Sequence, residues 1–317
     1  MKLRSLDDKT EGIVSAAGAY FLWGILPVYW KFVGMVPAHE VLAHRIVWSF
    51  IFMLLLLLVT RKFTACLADL KEILAQPKKA IGVVMASALI SINWVTYIWA
   101  VNNDRVIETS LGYYINPLVS VLLGVIVLRE KVSFWQAVAF CLAFIGVLNM
   151  TLHFGVFPWL ALLLAGSFGL YGLFKKMVNP GAITGLTLET MVVVPFALGY
   201  LGFLTREGAS AFSFAQPNVA ALLMGAGIVT AVPLLLFASG AKRLPLATIG
   251  FLQYIAPTIA LILGIFLYHE TFTMVHLTSF IFIWLALTIF SLGKTKYFLQ
   301  FEMFVFHKLH LKEKSST

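Results

Sequence analysis

Ten apolar runs of helix length follow one another along this chain, and they constrain its fold more than any other feature. They cover residues 12–30, 38–60, 80–101, 107–128, 132–152, 156–174, 183–204, 218–240, 246–268 and 271–293. A bilayer core about 30 Å thick is crossed by about 20 helical residues, so each run reads as a transmembrane helix. Of the 317 residues 61% are hydrophobic and only 12% charged, about half the charged fraction of a soluble domain. Lipid must then be the solvent for much of the surface. Ten crossings leave short loops and two tails, with no room for a soluble catalytic domain. The fold class is an all-α integral membrane protein.

Lys and Arg set the orientation. With the N-terminus inside, all but four of the 23 fall in cytoplasmic segments; Lys31, Arg105 and Arg206 lie outside and Arg45 lies within the second helix. Both termini are therefore expected in the cytoplasm. The net charge of +9 is a topological signal, and no nucleic-acid partner is implied. The first run is too long for a signal peptide and no small-residue cleavage site follows it, so it reads as an uncleaved anchor. Cys66 and Cys141 have no disulfide or metal partner in the pattern, and no metal or cofactor is expected. Between the second and third runs, Phe63, Leu67, Leu70 and Leu74 recur at helical spacing against Asp69, Lys71 and Glu72. That stripe predicts an amphipathic helix over 63–77 on the cytoplasmic membrane face. A basic, apolar tail, 294–317, follows the last run.

The chain also repeats itself. Gly112 to Glu130, GYYINPLVSVLLGVIVLRE, matches Leu252 to Glu270, LQYIAPTIALILGIFLYHE, at an offset of 140 residues. Pro117 falls on Pro257, Gly124 on Gly264 and Glu130 on Glu270, with Tyr114 on Tyr254. An odd number of helices separates the copies, so the halves, 12–152 and 155–293, are expected to be inverted repeats, an arrangement frequent in transporters. Each proline removes a helical hydrogen bond near mid-membrane, and the carbonyl it frees needs water or a donor. A structural kink and a cavity wall both answer that need. Glu130 and Glu270 precede Ser133 and Thr273, which read as N-caps; a carboxylate beside a helix N-terminus is favourable, so both glutamates read as structural.

The candidate solute-binding residues sit on this frame. The third run carries a polar and aromatic stripe with Asn93, Trp94 and Tyr97, for which helix–helix glue and ligand lining are both open readings. Ser110, Tyr114, Asn116 and Pro117 follow in the fourth run; Gln253, Tyr254 and Pro257 take the corresponding place in the ninth. Small residues of the first run, Ala16 to Gly24, read as close packing.

Intramembrane charges supply candidate gates. Arg45 lies about 10 Å into the second helix, where it either snorkels to the outer interface or faces a vestibule, with Glu108 and Asp104 as partners on its side. Glu189 lies at a comparable depth from the other face, with Lys242 and Arg243 nearby. Two ion-pair gates of exchanged sign follow as an expectation, the inner one between Glu189 and Arg243. Glu189 is also the candidate for proton coupling.

Several strings carry a family resemblance: AYFLWGILPVYWK, HRIVWS, INWVTYIWAVN and ETSLGYYINPL in the first half, LTLET and GFLQYIAPT in the second. With the paired P-x6-G-x5-E pattern they resemble the EamA-type transporters of the drug/metabolite transporter superfamily, RarD branch, over residues 12–293. The resemblance implies ten helices in inverted repeats around a central cavity, in a bacterial inner membrane, exporting small amphipathic molecules. It supplies no substrate site to carry over. The function expected is a secondary transporter, not an enzyme, working by alternating access on a small-molecule substrate in the lipid bilayer. No G-x-x-x-x-G-K-[ST] motif points to an ATP-driven pump. An intramembrane lipid-modifying enzyme is the rival reading, with His39, Glu40 and His44 as the one cluster it could use; a non-transporting membrane scaffold is the third.

Overall fold

The computed structural model describes residues 7–102, 106–154, 159–178, 181–267 and 273–293, with 295, 298 and 300 beyond; the side chains of 101–110 are outside this description. Its elements are α1 (Asp8–Phe32), α2 (Ala38–Val59), α3 (Phe63–Ala75), α4 (Pro77–Asn102), α5 (Val106–Ile126), α6 (Phe134–Phe154), α7 (Trp159–Val178), α8 (Ala182–Arg206), α9 (Pro217–Arg243), α10 (Leu246–Leu252), α11 (Ile255–Phe266) and α12 (Met274–Leu292). Among the described residues nine spans are long and apolar enough to cross a membrane, Leu246–Leu263 being one of them. The expected span 107–128 coincides with α5, whose apolar part Leu111–Ile126 is shorter. The protein is a multi-pass, all-α membrane protein.

Local chemistry places the helix ends. Prolines stand at the starts of α2, α4, α9 and α10, where a missing N–H costs nothing. Ser133 and Gln136 cap α6 reciprocally, and Thr273 and His276 do the same for α12. The amphipathic segment forms as α3, but its stripe divides: Cys66 and Ile73 are buried against the protein, whereas Phe63, Leu67 and Leu74 are exposed. Thr184 of α8 pins it by donating to Asp69 at 2.9 Å.

One expected helix is two. The run 246–268 ends its first helix at Leu252, turns at Gln253 and Tyr254, and restarts at Ile255. Pro257 has no N–H for the carbonyl of Gln253 and its ring crowds that carbonyl; restarting the helix puts the proline in a first turn, where neither fault matters. Pro117, by contrast, lies inside a continuous α5. The matched prolines do not break their helices alike.

The packing has a regular pattern. α1 packs on α9 and α11; α7 on α4 and α5; α2 on α8 and α9; α8 on α4; α6 on α12; and α5 on α10. Exchanging α1, α2, α4, α5 and α6 for α7, α8, α9, α10–α11 and α12 carries this set of pairings onto itself. The small residues of α1 fill crossings, as expected: Ala16 and Ala19 are fully buried, and a Cβ on Gly24 would stand 2.7 Å from Cβ of Ile259 on α11. One core cluster joins α5, α6, α10 and α12 around Tyr114, Phe251 and Phe280. A second joins α1, α7 and α9 around Tyr20, Tyr171 and Phe237. Between them lies a cavity.

Candidate solute cavity and its ion-paired end

The cavity has a volume of about 260 Å³ and is walled by α1, α2, α4, α5, α7, α9 and α11, with Gln253 from the turn before α11. Its aromatic wall is Tyr20, Trp23, Trp30, Trp94, Tyr97, Tyr113, Tyr114 and Phe168. Residue positions along the helices place it from mid-bundle toward the end where α1 and α4 finish and α2 and α5 begin.

The structure brings most of the sequence candidates to this chamber. Asn93, Trp94, Tyr97, Tyr114, Asn116, Gln253 and Pro257 line it, and so does Arg45. Several also hold helices together. The Asn93 amide donates to the Leu164 carbonyl at 2.9 Å and to Ser167 at 3.0 Å, tying α4 to α7. Gln253 donates to Ser120 of α5 at 3.0 Å. Asn116 is different: its Oδ1 is buried without a hydrogen-bond partner.

Two candidates fall elsewhere. Tyr254 is buried in the α5–α6–α12 core. Pro117 faces the α5–α10 crossing, where a Cβ on Gly250 would meet its carbonyl oxygen at 2.7 Å. Ser110 and Glu108 lie on α5 with side chains outside the described residues, and Asp104 and Glu270 lie outside them altogether.

Arg45 neither snorkels outward nor pairs with a described carboxylate. Its Nε donates to Thr230 of α9 at 2.9 Å, and its guanidinium carbon lies 4.6 Å from the Trp30 ring and 5.1 Å from the Trp94 ring. The cation is held between two indoles.

At the other end of the bundle, charges meet in pairs. Glu189 of α8 bonds Lys175 of α7 at 2.7 Å, both side chains being about 5% exposed or less, and accepts from the Tyr171 hydroxyl at 3.1 Å. Arg243 of α9 bonds Glu11 of α1 at 2.6 Å. The expected Glu189–Arg243 pair is thus corrected: α7 ends beside the start of α8 and supplies Lys175, while Arg243 is turned toward α1. In the sequence Lys175 carries only the topological signal of the cytoplasmic cations.

Glu130 is structural, but it serves a different helix from the one expected. The backbone turns sharply through Arg129, at φ +53, and the Glu130 N–H donates to the Gly124 carbonyl at 3.0 Å. Its carboxylate then accepts the N–H groups of Leu246 and Ala247 at 2.7 and 2.9 Å, capping α10 in the opposite half. Lys176 of α7 lies 3.5 Å from the same carboxylate and donates to the Leu244 carbonyl. Gly124 leaves room for this approach, since a Cβ there would stand 2.6 Å from Glu130 Oε2 and push the carboxylate aside. This accounts for the spacing of glycine and glutamate in the first copy.

The cluster that an enzyme could have used has another occupation. Glu40 accepts from Ser210 and from the Ala211 N–H at 2.9 and 2.8 Å, and His44 stacks on Phe212. Together they anchor the loop before α9.

Sequence reasoning missed Tyr20, Trp23, Pro27 and Trp30 of the cavity wall. They recur at i, i+3, i+7 and i+10 on one face of α1. That stripe is legible in the sequence, but the small residues interleaved with it point as strongly to close helix packing. Phe168 and Thr230 gave no comparable signal.

A multi-pass helical membrane protein with a buried, aromatic, solute-sized chamber belongs to the class of membrane transporters, and comparison with known proteins agrees. Residues 10–152 match the EamA-like transporter family. The chain is 47% identical to an uncharacterized transporter, YojE, of Bacillus subtilis, over 90% of this chain and 95% of that one. It is 43% identical to protein RarD of Escherichia coli, over 88% and 93%. A chloramphenicol-sensitive protein RarD of Pseudomonas aeruginosa is 28% identical over 87% and 92%. A solved crystal structure of a protein shares the fold, with TM-score 0.66 at 16% identity over 88% of this chain and 96% of that one. The chain belongs to the EamA-like transporter family, in its RarD branch.

Proposed function

We propose that this protein is a secondary carrier of the bacterial inner membrane that exports small aromatic or amphipathic solutes by alternating access. The observation that carries the reading is the polarity of the bundle. A chamber lined with indole, phenol and amide groups occupies one end, and interhelical ion pairs close the other. With cytoplasmic termini, as the Lys and Arg bias requires, the chamber faces outward and the paired end is the cytoplasmic gate. The self-matching set of helix pairings supports two inverted five-helix repeats, ten crossings in all, rocking about the α2–α8 and α6–α12 contacts.

The gate couples halves. Glu130 and Lys176 link the end of α5 and the end of α7 to the start of α10; Arg243 links α9 to α1. Opening inward requires these contacts to part. The Glu189–Lys175 pair is the element we assign to coupling. A chamber of about 20 Å³ beside Glu189, enough for one water, shares Trp94 and Thr230 with the main cavity. A proton entering from the cavity would neutralise Glu189 and release Lys175.

Reconstitution tests the reading. Proteoliposomes loaded with single-ring aromatic solutes should show counterflow, with net flux that responds to an imposed pH gradient. Absence of flux for every such solute would leave a scaffold as the better account; flux indifferent to pH would remove Glu189 from the coupling role.

A further inference from the structure

Among its described lining residues the cavity is charged as well as aromatic, and that charge has one sign. Arg45 is the sole Lys or Arg among the lining residues described, and no Asp or Glu is among them. The nearest described carboxylates on α2 and α8 are already engaged: Glu40 by Ser210 and Ala211, Glu189 by Lys175 and Tyr171.

The guanidinium is also oriented. Trp30 and Trp94 cover it, and Nε is spent on Thr230, a neutral hydroxyl that itself donates to the Ala226 carbonyl at 2.7 Å. Among the described residues this leaves the outer edge, Nη1 and Nη2, without a hydrogen bond. Two parallel N–H groups on a rigid plane match the two oxygens of a carboxylate. Across the same chamber Asn116 Oδ1 is a buried acceptor lacking a donor. A buried cation with no counter-ion among the described residues is costly, and a bound anion offsets that cost where a neutral solute cannot.

From this geometry we propose that the solute is a small aromatic organic acid. Its carboxylate docks on the Nη edge of Arg45, a hydroxyl or N–H donor on the same molecule meets Asn116 Oδ1, and its ring rests against Trp23 and Phe168. A chamber of about 260 Å³ suits one ring. Arg45 is then part of the binding site and not a gate. The inference rests on the cavity being the transport site.

The test uses the full chain in nanodiscs, with quenching of tryptophan fluorescence as the binding signal, since two of the indoles frame the site. The probes are 3-phenyllactate, its amide and phenethylamine. The acid is expected to bind at least tenfold more tightly than the amide, with phenethylamine weaker again; tenfold corresponds to about 1.4 kcal/mol. Arg45→Gln should bring the acid down to the level of the amide. Arg45→Lys should restore only part of the difference, because an ammonium lacks the fork. Equal binding of acid and amide by the natural protein overturns the inference, whether or not any variant folds. So does failure of the acid to bind at millimolar concentration, or an Arg45→Gln protein that keeps the preference. Flux through proteoliposomes separates the two readings. Equal transport of acid and amide removes the anion site and leaves the carrier, whereas preferential binding of an acid that never crosses leaves the anion site and removes the carrier.

Discussion

Replacing Glu130 by alanine should weaken the paired end of the bundle by an amount that can be worked from its contacts. The carboxylate accepts two N–H groups at 2.7 and 2.9 Å from the first turn of α10 and lies 3.5 Å from Lys176. Leu246 and Ala247 are buried, so their N–H groups would lose partners with little water to replace them. Each orphaned buried donor costs about 1–3 kcal/mol, and loss of a capping side chain about 0.5–2 kcal/mol. These describe overlapping losses, and a total of about 3 kcal/mol follows. The glutamine variant keeps one acceptor oxygen and should lose about half of that. Reversible unfolding in mixed detergent–SDS micelles, followed by tryptophan fluorescence, measures both. Gly124→Ala should behave similarly, because its Cβ would displace the Glu130 carboxylate. Combined with Glu130→Ala it should cost less than the sum, with a coupling of about 1 kcal/mol or more. In transport, about 3 kcal/mol removed from one closed state shifts its population roughly a hundredfold. An alanine variant within about 0.5 kcal/mol of the natural protein, or strict additivity with Gly124→Ala, would refute the cross-half cap.

Lys175→Met leaves Glu189 buried with Tyr171 alone and should cost about 3–5 kcal/mol in the same unfolding assay, whereas Lys175→Met with Glu189→Leu should recover most of it; a single variant losing under 1 kcal/mol would argue against the pair. Gly227→Ala puts a Cβ 2.3 Å from the Trp48 carbonyl carbon and 2.5 Å from the Ser49 nitrogen. Backbone cannot swing aside as a side chain can, so a loss of about 3 kcal/mol or no folded protein is expected by size-exclusion chromatography of a fluorescent fusion. Gly199→Ala, with no atom within 4 Å of the new Cβ, should instead be neutral or gain up to about 1 kcal/mol. For orientation, an impermeant maleimide added to intact cells should label Glu207→Cys and spare Lys71→Cys; the reverse pattern would invert the topology.

The sequence by itself determined the helices. Hydrophobic length and proline position are local properties, and lipid punishes any unsatisfied backbone, so the apolar runs could hardly be anything else. It also marked Asn93, Trp94, Tyr97, Asn116, Gln253 and Arg45 as polar or charged groups that need company in a membrane. Which company they found was decided only by the tertiary structure. Pro257 stands in the first turn of a restarted helix, whereas its match Pro117 lies inside a continuous one. Glu130 lies next to the cap of α6 in sequence, yet it bonds α10, 116 residues away. Glu189 took Lys175 instead of Arg243, and Arg45 lies against two indoles and a threonine, with no carboxylate beside it among the described residues. A charge in lipid announces that it must have a partner; only the packing of helices distant in sequence decides which partner comes within 3 Å.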